Sequence, residues 1–138
     1  MPDVLVDASA LIALLDRDDG LHERCVETLK RIRDPLATVW PALTEAMHLL
    51  ADTPRGADAL CDMVSDEALQ LISLEAPDLA RVKQLMQKYR DLPMDFAAAA
   101  LVCVAERDRL TRIVTFDRHF EIYRLPGRAR FTVLPRPA

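Results

Sequence analysis

Short β-branched runs alternate along this chain with longer stretches whose apolar residues follow helical spacing. Val4–Val6 is entirely apolar, which is typical of a strand buried on both faces, and the apolar positions of residues 11–15 then follow helical spacing. The same alternation recurs to the end of the chain. It predicts strands at residues 4–6, 36–39, 69–74, 112–115 and 130–134. It predicts helices at residues 11–15, 21–32, 41–50, 54–64, 77–90 and 94–108.

Strands that alternate with helices predict an α/β fold built from βαβ units. Such units give a mostly parallel sheet covered by helices on both sides. The chain has no internal repeat and no linker long enough to divide it, so residues 1–138 are expected to form a single domain. The order of the strands in the sheet does not follow from their spacing.

Composition narrows the class of protein. The chain is 51% hydrophobic and 29% charged, which excludes a disordered polypeptide. Its longest apolar run, residues 96–105, is about half of a membrane span, and no secretion signal is visible at the N-terminus. Cys25, Cys61 and Cys103 are widely spaced and form no C-x-x-C pair, which favours buried free thiols over zinc ligands or disulfides. We therefore expect a cytoplasmic protein that does not bind membranes.

Charge is distributed unevenly. The net charge is −4, yet residues 107–138 contain eight arginines and carry +5, which leaves −9 on residues 1–106. A basic segment beside acidic residues can hold a polyanion, and Arg112 and Arg118 are candidates for binding phosphates. A solvated, salt-bridged surface explains the arginines equally simply, and by themselves they favour that interpretation.

Acidic residues follow predicted strand ends. Asp7 directly follows residues 4–6, and Asp117 lies just beyond the strand at 112–115. In parallel sheets, ligands bind beyond the carboxyl ends of the strands. Glu45 lies early in the helix opened by Pro41, and Asp95 opens the alanine-rich helix. Helix caps explain the three aspartates as well, and a dipole-stabilised carboxylate explains Glu45.

Carboxylates that meet at one point repel each other and raise each other's pKa unless a cation neutralises them. Oxygen ligands without a cluster of histidines or cysteines favour Mg²⁺ or Mn²⁺, and such ions activate water for phosphoryl chemistry. Three glycines are too few for a phosphate-binding loop, and no G-x-S-x-G sequence is present. A metal-dependent phosphodiesterase reaction is therefore the favoured chemistry.

Four short motifs resemble a known family. They are VLVDASAL at residues 4–11, WPALTEA at 40–46, LPMDFA at 92–97 and VTFDRHF at 114–120. In this order they resemble the PIN-domain proteins, and the chain closely resembles the VapC-like toxin ribonucleases of type II toxin–antitoxin systems over essentially its whole length.

The resemblance implies a three-layer α/β/α fold and a Mg²⁺- or Mn²⁺-dependent endoribonuclease. Such proteins usually cut tRNA or rRNA, form homodimers and are blocked by a small antitoxin. The resemblance assigns the role of acidic metal ligand to Asp7, Glu45 and Asp117. It assigns supporting hydroxyl groups to Ser9 and Thr115.

One position departs from the family pattern. The alanine-rich helix usually carries an acidic ligand in a pattern like D-A-x-L-V-A-x-A, and Ala98 stands at that place here. Asp95 lies three residues earlier, on nearly the same helix face. Either Asp95 supplies the missing ligand, or the chain is weakened or inactivated and acts by binding antitoxin or RNA. A third interpretation treats all the acids as caps and predicts no effect of Mn²⁺ on melting temperature.

Overall fold

A five-stranded, fully parallel sheet forms the centre of the protein. The computed structural model describes residues 3–136. The strands of the sheet lie in the order β3-β2-β1-β4-β7, and every neighbouring pair is parallel. They are β1 (Val4–Val6), β2 (Leu36–Val39), β3 (Leu69–Ile72), β4 (Arg112–Val114) and β7 (Thr132–Leu134). A separate antiparallel hairpin joins β5 (Arg124–Leu125) to β6 (Ala129–Arg130).

Six helices cover both faces of the sheet, as the alternating pattern predicts. They are α1 (Ala8–Leu15), α2 (His22–Lys30), α3 (Trp40–Leu49), α4 (Gly56–Ser65), α5 (Asp78–Lys88) and α6 (Phe96–Asp108). Buried residues of α1, α2 and α4 share one core, and those of α5 and α6 share the other. Helix α3 contributes Ala42 to one core and Leu43 and Ala46 to the other. The predicted three-layer α/β/α architecture is confirmed.

The central strand β1 is buried on both faces. Val4 and Val6 pack into one core, and Leu5 packs into the other. This division follows from the alternation of side chains along a strand. A strand with two covered faces needs apolar residues at every position, which explains why the run at residues 4–6 is not interrupted by a polar residue.

Most predicted element boundaries shift by one to three residues in the structure, and two of these shifts have a clear cause. The strand predicted at residues 130–134 divides into β6 and β7, because Ala129 and Arg130 pair with β5 and only Thr132–Leu134 joins the parallel sheet. The helix predicted from Pro54 begins at Gly56, after Arg55 adopts a left-handed conformation with φ of 60°.

The expectation of buried cysteines holds for two of the three. Cys25 and Cys103 are buried, whereas Cys61 is exposed on α4. All three are free thiols. Among residues 3–136, no helix is long and apolar enough to span a bilayer.

Strand order reverses between β1 and β4. From β1 the chain adds β2 and β3 on one side, and then places β4 and β7 on the other. A crevice forms at such a reversal, because the connections from the two neighbouring strands leave in opposite directions. Asp7 leaves the sheet at the end of β1, and Thr115 leaves it at the end of β4. The reversal therefore brings together two segments that are more than a hundred residues apart in the sequence.

Candidate active site

An acidic pocket of about 90 Å³ lies at this reversal. All four acidic residues singled out from the sequence line it: Asp7, Glu45, Asp95 and Asp117. They come from four separate segments, namely the start of α1, the middle of α3, the start of α6 and the loop after β4. The remaining wall is small or apolar and consists of Ala8, Ser9, Ala97, Ala98, Leu101 and Phe120.

Asp7 is the buried member of this acidic set. Its side chain is 6% exposed, and both of its carboxylate oxygens accept hydrogen bonds. Oδ1 accepts from the hydroxyl of Ser9 at 2.7 Å and from the backbone N–H of Ala10 at 3.1 Å. Oδ2 accepts a short hydrogen bond from the hydroxyl of Thr115. These bonds fix the orientation of the carboxylate.

The hydroxyl groups of Ser9 and Thr115 are oriented by backbone groups of the loop after β4. Ser9 Oγ accepts from the N–H of Phe116 at 3.0 Å, and Thr115 Oγ1 accepts from the N–H of Asp117 at 2.9 Å. Each hydroxyl oxygen accepts a hydrogen bond from the backbone, and each hydroxyl proton is donated to Asp7, because an ionised carboxylate can only accept. The supporting role that the resemblance assigns to both residues agrees with these contacts.

Burial and mutual repulsion raise the pKa of two of the carboxyl groups. Burial raises the pKa of Asp7 from 3.8 to about 6, with a smaller contribution from the charge of Asp117, and the hydrogen bonds from Thr115, Ser9 and Ala10 oppose the rise. Burial also raises the pKa of Glu45, and the charges of Asp95 and Asp117 add to the effect. The pocket therefore brings together carboxylates whose negative charges disfavour one another.

Three of the four acids are also helix caps. Asp7 caps α1, Asp95 caps α6 by accepting from the N–H of Ala98 at 2.8 Å, and Asp117 caps the short 3₁₀ helix Arg118–Glu121 by accepting from the N–H of His119. The cap interpretation is therefore confirmed for these three aspartates, and it does not prevent them from lining one pocket. Helix N-termini carry partial positive charge, so the caps lower the cost of gathering carboxylates in one place.

Ala98 belongs to the pocket wall. Its side chain is 8% exposed and lies on the first turn of α6, one turn beyond Asp95. An aspartate at this position would direct its carboxylate toward the same space that Asp7 and Glu45 line. Asp95 lies outside the helical residues of α6, at its N-cap, and its side chain is more exposed than that of Ala98.

The pocket fits Mg²⁺ or Mn²⁺ by donor chemistry. All of its charged groups are carboxylates, and those of Asp7 and Glu45 are destabilised in their ionised form. No three acidic, histidine or cysteine side chains of the described chain form a ready-made metal cluster. Magnesium commonly uses only one or two protein carboxylates, together with water and substrate phosphates, so a loosely arranged acidic pocket suits it.

The two arginines singled out from the sequence lie toward opposite ends of strand β4, with Arg112 at the amino end and Arg118 past the carboxyl end. Arg118 begins the 3₁₀ helix after Asp117 and lines a cavity of about 330 Å³ that also includes Asp117. Arg112 begins β4 and forms an ion pair of 2.6 Å with Asp34. Strand β4 therefore separates the two, and Arg112 does not line the acidic pocket.

Three aromatic residues near the pocket were missed from the sequence. Phe120 lines the pocket, and the imidazole of His119 lies 3.4 Å from Asp117 Oδ1. Tyr123 packs edge-on against Phe120, and burial together with the charges of Asp117 and Asp95 raises its pKa to about 12. The motif at residues 114–120 contains His119 and Phe120, but the sequence assigned neither of them a role.

Replacing Thr115 with valine is expected to lower the free energy of unfolding by about 1–3 kcal/mol. The change keeps the shape of the side chain but leaves Asp7 Oδ2 and the N–H of Asp117 without their hydrogen-bond partner. Urea unfolding measures the effect. Thr132→Val is the matched control, because Thr132 is exposed on β7. An equal effect of both changes would contradict a special role for the Thr115 hydroxyl.

Comparison with known proteins identifies the family. The chain is 32% identical over 136 residues to Ribonuclease VapC26 of Mycobacterium tuberculosis, and the match covers 96% of this chain and all of that protein. Its fold is similar to the crystal structure of VapC20 of Mycobacterium tuberculosis, described as a toxin that cleaves the sarcin–ricin loop. The TM-score is 0.77 at 17% identity, covering 83% of this chain and 90% of the other.

A toxin–antitoxin complex from Klebsiella pneumoniae gives a TM-score of 0.65 at 19% identity, covering 83% of this chain and 87% of the matched one. The family model described as "PIN domain" matches residues 4–125, which include Asp7, Glu45, Asp95 and Asp117. This chain therefore belongs to the PIN domain family.

Proposed function

We propose that the protein is the toxin of a toxin–antitoxin pair and that it hydrolyses phosphodiester bonds of RNA with the help of Mg²⁺ or Mn²⁺. One observation carries the proposal: carboxylates from four distant segments line a single pocket, and Asp7 is held there in the buried state by two hydroxyl groups. A helix cap alone gives no reason for a carboxylate to be buried beside other carboxylates. The similarity to Ribonuclease VapC26 supports RNA as the substrate.

Asp7, Glu45, Asp95 and Asp117 would hold the metal. When bound, the metal supplies a water of lowered pKa and stabilises negative charge on the phosphate. The chain's own contribution is positional. Ser9 and Thr115 fix the orientation of Asp7, and the loop after β4 fixes Asp117 relative to Asp7 through the hydroxyl of Thr115.

The similarity to known toxins also supports a proposal for the protein and RNA partners. A structure similar in fold is a toxin–antitoxin complex, so we propose a small antitoxin as the protein partner, a tRNA or rRNA as the substrate and a homodimer as the active form. A cytoplasmic location suits these partners. One parallel sheet runs through the described residues, which supports a single domain over residues 1–138.

The direct test is cleavage of RNA by the purified protein with and without divalent metal. We expect cleavage with Mg²⁺ or Mn²⁺, complete loss with EDTA and recovery when the metal is returned in excess. Fragments with defined ends on a labelled RNA separate this reaction from contamination by other nucleases. Cleavage that survives EDTA would contradict the metal-dependent mechanism.

A second candidate function is favoured by Ala98. Since this residue stands in the pocket wall where a carboxylate would face Asp7, the chain could be a weakened nuclease that acts by binding antitoxin or RNA. Retained RNA binding without cleavage, both in the natural chain and in the variant Ala98→Asp, would identify that function.

A further inference from the structure

A basic groove leads away from the acidic pocket along the edge of the sheet. Next to the pocket lies the cavity of about 330 Å³, which shares Asp117 with it. A larger cavity of about 800 Å³ adjoins it, and Pro135 contributes to the linings of both. Together they form a groove between helix α2 on one side and strand β7 on the other.

Arginines line this groove from end to end. Arg24 and Arg118 line the cavity next to the acidic pocket, and Arg31, Arg33 and Arg136 line the larger cavity beyond it. A hydrogen bond links the two cavities, because the guanidinium of Arg24 in the smaller cavity donates to the backbone oxygen of Arg136 in the larger one.

The balance of charge changes along the groove. Near the acidic pocket, Asp117 and Glu121 balance Arg24 and Arg118. In the larger cavity the one acidic residue of the lining is Asp34, which is paired with Arg112. Positive charge therefore increases with distance from the acidic pocket.

Three of these cations are uncompensated. The guanidinium groups of Arg31, Arg33 and Arg136 are exposed and form no ion pair within residues 3–136. Arg31 follows α2 and would complement its helix dipole, but Arg33 and Arg136 lie outside any helix. Clustered cations repel each other, and binding a polyanion relieves that repulsion.

We propose that this groove, defined by Arg24, Arg31, Arg33, Arg118 and Arg136, binds the phosphate backbone of single-stranded RNA on one side of the cleavage site. The inference rests on the proposed ribonuclease function and adds the path of the substrate. The acidic pocket repels phosphates by itself, so RNA affinity has to come from cations placed elsewhere.

The first test measures binding without cleavage. The variant Arg31→Gln/Arg33→Gln/Arg136→Gln and its parent chain are compared, in EDTA, for binding of a fluorescent single-stranded RNA of about 16 nucleotides. We expect affinity at low salt to fall about tenfold or more, and the slope of log affinity against log salt to decrease by about 2, since each phosphate contact on a single strand contributes about 0.7.

A matched control removes the same charge elsewhere. Arg17, Arg55 and Arg90 are exposed and lie outside the groove, so Arg17→Gln/Arg55→Gln/Arg90→Gln changes the net charge equally. This control is expected to bind RNA like the parent chain. Equal weakening by both triple variants, or no weakening by the groove variant, overturns the proposal. If RNA binding is unchanged but an acidic peptide binds less well, the groove belongs to a protein partner instead.

A second test separates the groove from the active site. With Mg²⁺ present, the groove variant is expected to raise KM for the RNA of about 16 nucleotides, while kcat stays unchanged and cleavage of an RNA of about 4 nucleotides is unaffected. If the groove variant loses cleavage activity equally on the long and the short RNA, the proposal is overturned. If the parent chain cleaves neither RNA, the proposed function fails, while the binding measurement still decides the groove.

Discussion

Replacing Asp7 with asparagine is expected to reduce RNA cleavage by about 100-fold or more and to stabilise the fold at neutral pH. The loss of activity follows from the removal of the buried negative charge that would hold the metal. The gain in stability follows from the raised pKa. Since burial raises the pKa of Asp7 from 3.8 to about 6, the ionised carboxylate destabilises the folded state.

The sign of this effect can be followed with pH. Between pH 3.8 and about 6 the folded state retains a proton that the unfolded state has lost, so the free energy of unfolding falls as the pH rises through this window. Above about pH 6, the pKa shift of Asp7 has lowered the free energy of unfolding by about 3 kcal/mol. Asparagine avoids this penalty, although one of the two hydroxyl groups that face it must reorient. We therefore expect a net stabilisation of about 1–2 kcal/mol near neutral pH.

Thermal unfolding in EDTA across this pH range measures the effect, together with RNA cleavage in Mg²⁺. Asp62→Asn is the control, because Asp62 is exposed on α4 and far from the pocket. The parent chain should lose stability as the pH rises, and the Asp7→Asn variant should lose less. Full cleavage activity in Asp7→Asn would remove Asp7 from the proposed site, and identical pH profiles would show that its carboxylate carries no electrostatic penalty.

Replacing Ala98 with aspartate is expected to raise Mg²⁺-dependent cleavage by about tenfold or more and to tighten Mn²⁺ binding. The new carboxylate would face the acidic pocket from the first turn of α6, where the helix dipole favours a negative charge. Without metal, the same charge adds to the repulsion around Asp7 and Glu45 and should lower the melting temperature. With saturating Mn²⁺, the melting temperature should exceed that of the natural chain under the same conditions.

Ala98→Asn is the matched control, since it adds nearly the same volume without the charge. Mn²⁺ should raise the melting temperature of Ala98→Asn no more than it raises that of the unsubstituted chain. If Ala98→Asp leaves cleavage and the Mn²⁺ effect unchanged while the natural chain cleaves RNA, the pocket is complete without it and Asp95 serves as the ligand. If neither chain responds to Mn²⁺, the carboxylates are caps only.

The local features of this protein were predictable from the sequence. The run at residues 4–6 indicates a strand with two buried faces, because such a strand cannot tolerate a polar residue at either face. Asp7 and Asp95 were readable as caps, since a cap is defined by hydrogen bonds to residues two or three positions ahead. All four acidic residues of the pocket were singled out from local position alone, two of them after strands (Asp7 and Asp117) and two early in helices (Glu45 and Asp95).

Features that depend on distant segments were not predictable. Arg112 and Arg118 are six positions apart and β4 begins at Arg112, so only Arg118 lines the cavity that shares Asp117 with the acidic pocket. Cys61 looked like a buried thiol from its amphipathic context, yet it lies on the exposed side of α4. The split of residues 130–134 depends on pairing with β5, a partner that no local pattern revealed.

By itself the sequence determined where the six helices and most of the parallel strands lie, and which acids follow the strand ends. The tertiary structure decided that β4 lies beside β1, which joins Thr115 to Asp7 and brings four carboxylates into one pocket. It also decided that residues of α2 and β7 line the same cavities, which form the proposed basic groove. The physical reason is that periodicity and capping arise from neighbours along the chain, whereas strand order is set by how the helices bury the two faces of the sheet.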